Sequence, residues 1–216
     1  MNIILFGPPG AGKGTQAENI TKTFNLHKIS TGDLLRNEIL IKSELGNKIK
    51  SIINKGSFVS DNIINDLISK VLSNKDYYNR LIFDGYPRNL EQAKNLELLV
   101  KNNNQKISCV FSLNVDKDSV LKRILGRLTC TKCGEIFNKY FKPADNKKHL
   151  CDSNFLEKRS DDNEKTVLKR YQTYLDKTLP ILDYYKDLNL LYEIDGGAKI
   201  NEIFAKISHI IASLEA

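Results

Sequence analysis

Four glycines and a lysine lie close together near the start of the chain, between an apolar stretch and a stretch with helical periodicity. Residues 7–15 read Gly-Pro-Pro-Gly-Ala-Gly-Lys-Gly-Thr. Glycines let the backbone turn tightly and bring its N–H groups against phosphate, and the first turn of the following helix adds further unpaired N–H groups. Lys13 would reach the β- and γ-phosphates, and the hydroxyl of Thr15 could bind Mg²⁺. The segment therefore predicts a nucleotide-phosphate site.

One position departs from the usual phosphate-loop pattern. Ser or Thr ordinarily follows the lysine directly, whereas here Gly14 follows it and Thr15 comes next. The alternative interpretation is a glycine-rich turn that binds nothing. The apolar residues at 3–6 and the helical stretch after the loop supply the context that phosphate binding requires, so we favour the nucleotide site.

A carboxylate and an arginine follow a second apolar stretch. Asp84 comes directly after 81–83, the position from which an acid commonly orients Mg²⁺ or its water. Alternatively, Asp84 only forms a turn or caps a helix. Arg88 follows a Gly-Tyr-Pro turn and could bind a phosphate with both arms of its guanidinium. Because a phosphate loop is also present, we predict that Asp84 holds Mg²⁺ through water and that Arg88 binds phosphate.

Three of the four cysteines lie in a segment, 127–159, where helical periodicity lapses. Cys130 and Cys133 form a Cys-x-x-Cys-Gly sequence, and Cys151 follows at a spacing normal for the second half of a zinc ribbon. Structural zinc takes four ligands. The candidates for the fourth are three nearby residues: His149, Asp152 and Asn154. The alternatives are unpaired thiols or a disulfide, and an oxidised pair is unusual in the cytosol. We predict a Zn²⁺ site whose fourth ligand stays open.

The whole sequence alternates short apolar stretches with longer helical patterns. The predicted strands are 2–6, 28–30, 80–84, 108–113 and 190–194. The predicted helices are 13–24, 32–41, 45–54, 61–72, 90–102, 117–125, 162–185 and 199–213. This alternation predicts an α/β fold with helices on both faces of a mostly parallel sheet. Ligands of such sheets bind at the carboxyl ends of the strands. We therefore expect the phosphate loop, Thr31 and the segment 84–88 to converge, and Cys109, inside a strand, to lie in the core.

Length and composition exclude several classes of protein. The chain has 216 residues, 41% of them hydrophobic and 27% charged, which fits one domain with an insertion. It has no apolar stretch of membrane-spanning length and no secretion signal, so we expect a cytoplasmic protein without a membrane partner. The net charge of +7 favours an anionic partner. Because the basic residues are dispersed, small phosphates are favoured over nucleic acid.

Taken together, the motifs resemble those of the adenylate kinase family, in the long-lid bacterial form whose insert often carries structural zinc. The resemblance covers the whole chain in family order through these residues: 7–15, 30–33, Arg36, 55–59, 84–88, Gln92, Arg123, 126–127, Arg159, 161–162, Arg170 and 195–196. It implies a P-loop three-layer α/β/α core (1–29, 60–126 and 160–216), an AMP-binding helical segment (30–59) and a zinc-ribbon-like lid (127–159). It also implies a monomeric enzyme that transfers a phosphoryl group reversibly from Mg²⁺-bound ATP to AMP, giving two ADP.

The same resemblance assigns the nucleotide sites position by position. The ATP site would comprise Gly10, Ala11, Gly12, Lys13, Gly14, Thr15, Arg123, Arg127, Ile136, Phe137 and Ala198. The AMP site would comprise Thr31, Arg36, Ser57, Phe58, Val59, Gly85, Tyr86, Pro87, Arg88, Gln92, Arg159 and Arg170. Five of these would be catalytic: Lys13, Arg88, Arg123, Arg159 and Arg170. The Gln92 amide would read adenine, since it can donate and accept. Tyr86 departs from the family, in which phenylalanine is common at this position.

Several of these residues also fit purely structural roles. Thr31 could cap a helix, Asn89 and Gln92 resemble a capping box, and a cation such as Arg123 suits a helix C-terminus. Two other functions stay open: a related kinase that uses UMP, CMP or GMP, and a zinc-ribbon protein that binds nucleic acid and has a regulatory nucleotide site. No histidine occupies the position of a general base, which suits a phosphate acceptor better than a hydroxyl acceptor.

Overall fold

A computed structural model describes residues 1–54, 59–144, 149–159 and 161–215. The strands are β1 (Asn2–Phe6), β2 (His27–Ser30), β3 (Leu81–Asp84), β4 (Ile107–Asn114), β5 (Arg127–Cys130), β6 (Ile136–Asn138), β7 (Leu156–Glu157) and β8 (Leu191–Asp195). The helices are α1 (Lys13–Phe24), α2 (Thr31–Leu40), α3 (Glu44–Asn54), α4 (Asp61–Leu72), α5 (Leu90–Asn102), α6 (Lys117–Leu125), α7 (Glu164–Thr173), α8 (Ile181–Asp187) and α9 (Ile200–Glu215). The predicted alternation of strands and helices is confirmed.

Five strands form a parallel sheet in the order β2-β3-β1-β4-β8. β1 is central, with Ile4 beside Phe83 of β3 and Val110 of β4. The connection after β1 runs to β2 on one side of the sheet, whereas the connection after β3 runs to β4 on the other side. Open α/β sheets bind ligands where successive connections diverge in this way. The loops after β1, β2 and β3 therefore leave the same edge of the sheet next to one another. The predicted mostly parallel α/β fold is confirmed.

Side chains of the central strand alternate between two apolar layers. Ile3 and Leu5 pack in a cluster with residues of α1 and α9, while Ile4 and Phe6 pack in a second cluster with residues of α3, α4, α5 and α8. This alternation follows from the two-residue period of a strand, and it places helices on both faces of the sheet. Cys109 is fully buried in the first cluster, as predicted. The fold is a three-layer α/β/α sandwich.

The predicted single helix at 162–185 is wrong. The structure has α7, then one π-helical turn (Tyr174–Thr178), then α8. Pro180 precedes α8 and has no N–H group to donate, so the chain cannot continue as one regular helix through this point. The helix also begins later than predicted, because the Asn163 side chain accepts a hydrogen bond from the N–H of Thr166 and caps α7.

The insert contains a separate small antiparallel sheet in the order β6-β5-β7. Its first strand follows α6 almost at once, and Asn138 of β6 returns to that helix by donating a 2.6 Å hydrogen bond from Nδ2 to the carbonyl of Arg123. Lys139 N–H donates to the carbonyl of Gly126 at 2.9 Å. The lid sheet is thus attached to the end of α6. Within the described ranges, no helix has both the length and the apolar character needed to cross a membrane.

Candidate active site

The phosphate loop connects β1 to α1 and depends on glycine at several positions. The φ angles of Gly7, Gly10 and Gly12 are 143°, 80° and 98°, conformations that other residues adopt only with strain. A Cβ atom on Gly10 would also lie 2.7 Å from Cγ1 of Ile124 in α6. Gly12 precedes α1 and supplies no side-chain cap, so the first N–H groups of the helix stay available to an anion.

Lys13 lies at the centre of a group of charged side chains. Its Nζ donates hydrogen bonds to the carbonyls of Gly7 (2.7 Å) and Pro8 (2.9 Å). Burial lowers the pKa of Lys13 to about 8; the carboxylate of Asp84 opposes this, while the nearby arginines 88, 170 and 127 add to it. An ideal Cβ on Gly14 would lie 3.8 Å from Oδ2 of Asp84, so the phosphate loop and the end of β3 are adjacent. The predicted convergence of these segments is therefore present.

A second group of residues forms around the turn after β3. The hydroxyl of Thr31 donates to the carbonyl of Gly85 at 3.1 Å. Arg88 donates from Nε to the same carbonyl at 2.7 Å and from Nη2 to the Thr31 hydroxyl at 3.4 Å. Gly85 has a φ of 77°, which this turn requires. Ser30, rather than Thr31, caps α2 by accepting from the N–H of Asp33, so the Thr31 hydroxyl is not used as a helix cap.

Two further residues of the predicted AMP site lie nearby. Arg36 pairs with Asp33 one turn earlier on α2. Burial acts to raise the pKa of Asp33, but the bond and charge of Arg36, together with Lys28 and Ser30, lower it overall. Val59 is buried. The predicted residues Ser57 and Phe58, with the rest of 55–58, lie outside the described residues.

Gln92 and Tyr86 are both buried beneath this turn. The Gln92 amide accepts a 2.7 Å hydrogen bond from the N–H of Arg88 and donates one of 2.5 Å to Asp61. Asn89 does cap α5, but the Gln92 side chain points to Arg88 and Asp61, so the capping-box interpretation holds only in part. The Tyr86 hydroxyl donates to Oδ1 of Asn65 at 3.0 Å, and burial raises its pKa to about 12. The departure from phenylalanine thus adds a satisfied donor. The bond between Tyr86 and Pro87 is cis.

Arg123 and Arg127 are held in different ways. Arg123, in the last turn of α6, donates to the carbonyls of Ala11 (3.1 Å) and Gly196 (2.7 Å), joining the phosphate loop to the turn after β8. Arg127, in β5, donates from Nε to Oδ2 of Asp162 at 2.7 Å and from Nη2 to its other oxygen. The Asp162 side chain is fully buried. Sequence reasoning did not identify this partner.

The remaining arginines are Arg159, at the end of the lid, and Arg170, on α7. Arg170 donates to Oδ2 of Asp161 at 2.7 Å on the surface. Burial lowers the pKa of Arg159, and the positive charges of Arg127 and Arg36 add to that effect. Burial lowers the pKa of Arg88 as well, with Arg170 acting in the same direction. The cationic side chains predicted to bind phosphate are therefore near one another.

Three further predicted ATP contacts lie in the lid and in the turn after β8. Ile136 begins β6 and is half-buried. The Phe137 ring is buried inside the lid, 4.7 Å from the ring of His149 between centroids, so any contact with a nucleotide would use its main chain. Ala198 follows the Asp195 turn and packs against the cluster that contains α1 and α9. The side chains of Ile136, Phe137 and Ala198 are uncharged, so none of them adds to the positive charge of the site.

Four potential metal ligands meet in the lid: Cys130, Cys133, His149 and Cys151. Their ligand atoms all lie within 4.8 Å of one another, and Nε2 of His149 is 3.4 Å from Sγ of Cys133. Tetrahedral zinc with bonds of about 2.0–2.3 Å separates its ligands by roughly 3.5–3.8 Å, so only small adjustments are needed. Of the three candidates for the fourth ligand, His149 is the one in the cluster, whereas Asp152 caps a short 3₁₀ turn by accepting from the N–H of Asn154.

The pKa values of Cys130 and Cys151 also favour a site that holds a cation. Although burial acts to raise the pKa of Cys130, N–H groups of Cys133 and Lys132 lower it to about 6. Burial, followed by the sulfurs of Cys133 and Cys130, raises the pKa of Cys151 to about 11. The second thiolate is thus disfavoured by the first unless a positive ion lies between them. None of the cysteines is in a disulfide.

Comparison with known proteins agrees with this geometry. The sequence profile of the family named Adenylate kinase matches residues 5–190. The chain belongs to the adenylate kinase family. The adenylate kinase of Pelagibacter ubique is 49% identical over 211 residues, covering 98% of this chain and 99% of that protein. Those of Bacillus cytotoxicus (42% over 216 residues; 99% and 100%) and Archaeoglobus fulgidus (38% over 218 residues; 100% of both) match along their whole length.

Membership of the adenylate kinase family makes the chain a nucleoside monophosphate kinase. The resemblance based on motifs alone is therefore confirmed. The structure also shows contacts of three residues to which the motifs assigned no role. Asp61 bonds to Gln92, Asp162 to Arg127, and Thr178 to the Arg88 carbonyl. Each contact joins segments remote in sequence, so local patterns carried no signal for it.

Proposed function

We propose that the protein catalyses reversible, Mg²⁺-dependent phosphoryl transfer from ATP to AMP, giving two ADP. The observation that carries this proposal is the electrostatic grouping of Lys13 with Arg88, Arg127 and Arg170, next to Asp84 at the carboxyl ends of the central strands. Arg127 and Arg170 pair with Asp162 and Asp161. Lys13 and Arg88, in contrast, donate to carbonyl and hydroxyl oxygens. Bound anions would relieve the repulsion among these cations, and two nucleotides end to end supply polyphosphate at that place.

ATP would bind with its phosphates on the loop at 10–15 and Lys13, and AMP near Thr31, Gly85 and Arg88. An AMP phosphate oxygen attacks the γ-phosphorus, and the bond from that phosphorus to the bridging oxygen of ADP breaks. The attacking oxygen is already anionic, so no side chain has to remove a proton. Two of the three histidines agree with this, since the His27 ring packs at a tilt against Tyr77 and His149 belongs to the lid cluster. Catalysis then consists of in-line placement and charge stabilisation.

Lys13 and the arginines would supply most of that stabilisation. For Lys13 to reach phosphate, its Nζ must exchange the carbonyls of Gly7 and Pro8 for phosphate oxygens. Bound Mg²⁺ would neutralise charge on the ATP phosphates, with Asp84 contributing through water and Thr15 through its hydroxyl. Arg123, Arg159 and Arg170 would stabilise the charge on the transferred group. Removal of one such group typically slows the reaction by about 10²–10³-fold.

The lid cluster would hold Zn²⁺ through Cys130, Cys133, His149 and Cys151. The donor set supports this proposal: three sulfurs and an imidazole nitrogen are the ligands of closed, structural zinc sites. The metal would stabilise the outer lid, and no substrate need contact it. We further propose that the enzyme acts as a cytoplasmic monomer on ATP, AMP and ADP, without nucleic-acid or membrane partners.

A coupled assay tests the reaction directly. With Mg²⁺ present, ATP and AMP together should give two ADP, and either nucleotide alone should give none. Lys13→Met should remove most turnover while the protein stays folded by circular dichroism. A mimic with two adenosines joined through five phosphates should bind with an affinity far above that of ATP alone. A protein that hydrolysed ATP equally well without AMP would contradict the proposal.

The acceptor panel separates the remaining alternatives. UMP, CMP and GMP at fixed ATP should each be poorer acceptors than AMP, and a reversed order would favour the related kinase. The nucleic-acid alternative predicts salt-dependent binding to RNA or DNA that is stronger than binding to ATP.

A further inference from the structure

The side-chain amide of Gln92 is hydrogen-bonded on both sides, to one group that can only donate and to one that can only accept. Its Oε1 accepts from the backbone N–H of Arg88 at 2.7 Å, and its Nε2 donates to Oδ1 of Asp61 at 2.5 Å. Gln92 is only 6% exposed. A peptide N–H can only donate, and an ionised carboxylate can only accept. The amide oxygen therefore faces Arg88 and the amide nitrogen faces Asp61.

Asp61 is itself fixed by a second contact. Its other oxygen, Oδ2, accepts from Nδ2 of Asn89 at 3.1 Å, and the Oδ1 of Asn89 accepts from the N–H of Gln92 at 2.8 Å. The Asn89 amide is thus also held between a carboxylate that accepts and a backbone N–H that donates, which fixes its direction. Asp61 begins α4, two residues after Val59, so this closed set of hydrogen bonds lies beside the predicted AMP site.

We propose that Asp61 is a specificity-determining residue, which fixes the direction of the Gln92 amide and thereby selects adenine over bases with a 6-carbonyl group. The inference depends on the proposed function and on the expectation, from the family resemblance, that the Gln92 amide reads the base of the acceptor nucleotide. An amide nitrogen has two hydrogens and an amide oxygen has two lone pairs. After the bonds to Asp61 and Arg88, one donor and one acceptor remain in a fixed order.

That order distinguishes two bases of almost the same size. Adenine presents an N6–H donor beside the N1 acceptor. Hypoxanthine, the base of IMP, presents an O6 acceptor beside an N1–H donor, which is the reverse arrangement. Gln92 could pair with hypoxanthine only after its amide rotated by 180°. Rotation would place oxygen against the Asp61 carboxylate and NH₂ against the Arg88 N–H, leaving buried polar groups unpaired.

The test compares AMP with IMP as acceptors for the wild type and Asp61→Asn. Asparagine keeps the shape of the side chain but can turn its NH₂ toward Gln92, so only the Arg88 N–H still favours the original direction of the amide. The ratio of kcat/KM for AMP to that for IMP should fall about tenfold, mostly through a higher KM for AMP. The KM for ATP should not change. Asp66→Asn is the matched control, because Asp66 is an exposed carboxylate on the same helix.

A double-mutant cycle establishes whether Asp61 acts through Gln92. Gln92→Leu alone should lower the AMP preference further than Asp61→Asn does. In the Gln92→Leu background, Asp61→Asn should then change the ratio by less than about twofold, because no amide remains to be oriented. Asp61→Ala, measured in the same way, should lower the ratio as Asp61→Asn does and guards against a variant that does not fold.

The outcomes separate this inference from the proposed function. Wild-type enzyme that does not phosphorylate AMP overturns both. Wild-type enzyme that phosphorylates AMP, with an unchanged AMP-to-IMP ratio in the folded Asp61 variants, overturns the inference alone. An equal fall in the ratio with and without Gln92 would also overturn it, because Asp61 would then act on specificity by another route.

Discussion

The hydroxyl of Thr178 donates a 2.9 Å hydrogen bond to the main-chain carbonyl of Arg88, ninety residues earlier in the chain. Thr178 ends the π-helical turn Tyr174–Thr178, which follows the helix that carries Arg170. Burial raises the pKa of Tyr174, at the other end of the turn, and Ser112 of β4 acts in the opposite direction. π-turns within helices frequently occur at functional sites. Here the turn connects two arginines of the predicted phosphate site through one backbone contact.

We expect Thr178→Val to raise the KM for AMP about fivefold, since a net hydrogen bond contributes on the order of 1 kcal/mol and Arg88 would lose a positional restraint. The KM for ATP should change less. Thr178→Ser should restore the wild-type value. The control is Thr173→Val, which removes a 2.9 Å hydroxyl-to-carbonyl bond on the same helix, to Lys169. Steady-state kinetics with each nucleotide varied in turn distinguishes the variants, and equal effects of the two valines would contradict the role given to Thr178.

The ionisation of Lys13 predicts a pH dependence. Burial lowers its pKa from the ordinary 10.5 to about 8, so the ligand-free enzyme loses this positive charge as the pH rises through 8. Because kcat/KM reports the free enzyme, kcat/KM for ATP should decline tenfold per pH unit above about pH 8. In Lys13→Arg the guanidinium stays charged, so whatever activity remains should not decline in this range. A wild-type profile that stays level to pH 9.5 would contradict this.

The same pKa has the opposite consequence for folding. A lysine whose pKa is lowered in the folded state binds fewer protons there than in the unfolded chain between pH 8 and 10.5. The contribution of Lys13 to the free energy of unfolding should therefore be unfavourable below pH 8 and should disappear as the pH rises through this window. Compared with Lys13→Met, the wild-type protein should thus gain relative stability between pH 8 and 10, measured by urea unfolding.

Local patterns predicted the elements that local interactions determine. α5 and α6 have the predicted bounds because Asn89 and Asp116 cap their first turns, which is visible in sequence. The π-turn was not predictable from local patterns, since its contact with the Arg88 carbonyl joins residues ninety positions apart. The choice of His149 over Asp152 and Asn154 depends on how the lid folds, and the contact between Asp61 and Gln92 spans 31 residues. The motifs thus predicted a set of phosphate-binding residues, but not the contacts that hold those residues in place.

The metal cluster predicts a loss of lid stability when a ligand is removed. Cys130→Ser and His149→Ala should each lower the zinc content below one per chain and reduce the melting temperature, because binding of structural zinc contributes to folding. Asn154→Ala is the control: Asn154 lies nearby but outside the cluster, so its variant should retain the metal. Elemental analysis and calorimetry measure both effects. Carefully purified wild-type protein without zinc would contradict the prediction.

Asp161 and Asp162 are adjacent in sequence, but their mutation should lower the free energy of unfolding by very different amounts. The Asp162 side chain is fully buried and receives two hydrogen bonds from Arg127, whose side chain is 18% exposed, whereas Asp161 and Arg170 are 51% and 42% exposed. Removing one partner of a buried pair leaves an uncompensated charge and typically costs about 3–5 kcal/mol. An exposed pair contributes at most about 1 kcal/mol, because water screens it.

We therefore expect Asp162→Asn to lower the free energy of unfolding by about 3 kcal/mol, and Asp161→Asn by less than about 1 kcal/mol. Both variants remove one negative charge from neighbouring positions, so the comparison isolates burial from net charge. Urea unfolding at pH 7 measures the two values. Raising the salt concentration should reduce the effect of Asp161→Asn further and leave that of Asp162→Asn nearly unchanged, because buried charges are poorly screened. Equal losses in the two variants would show that the Arg127–Asp162 pair does not stabilise the fold as its burial implies.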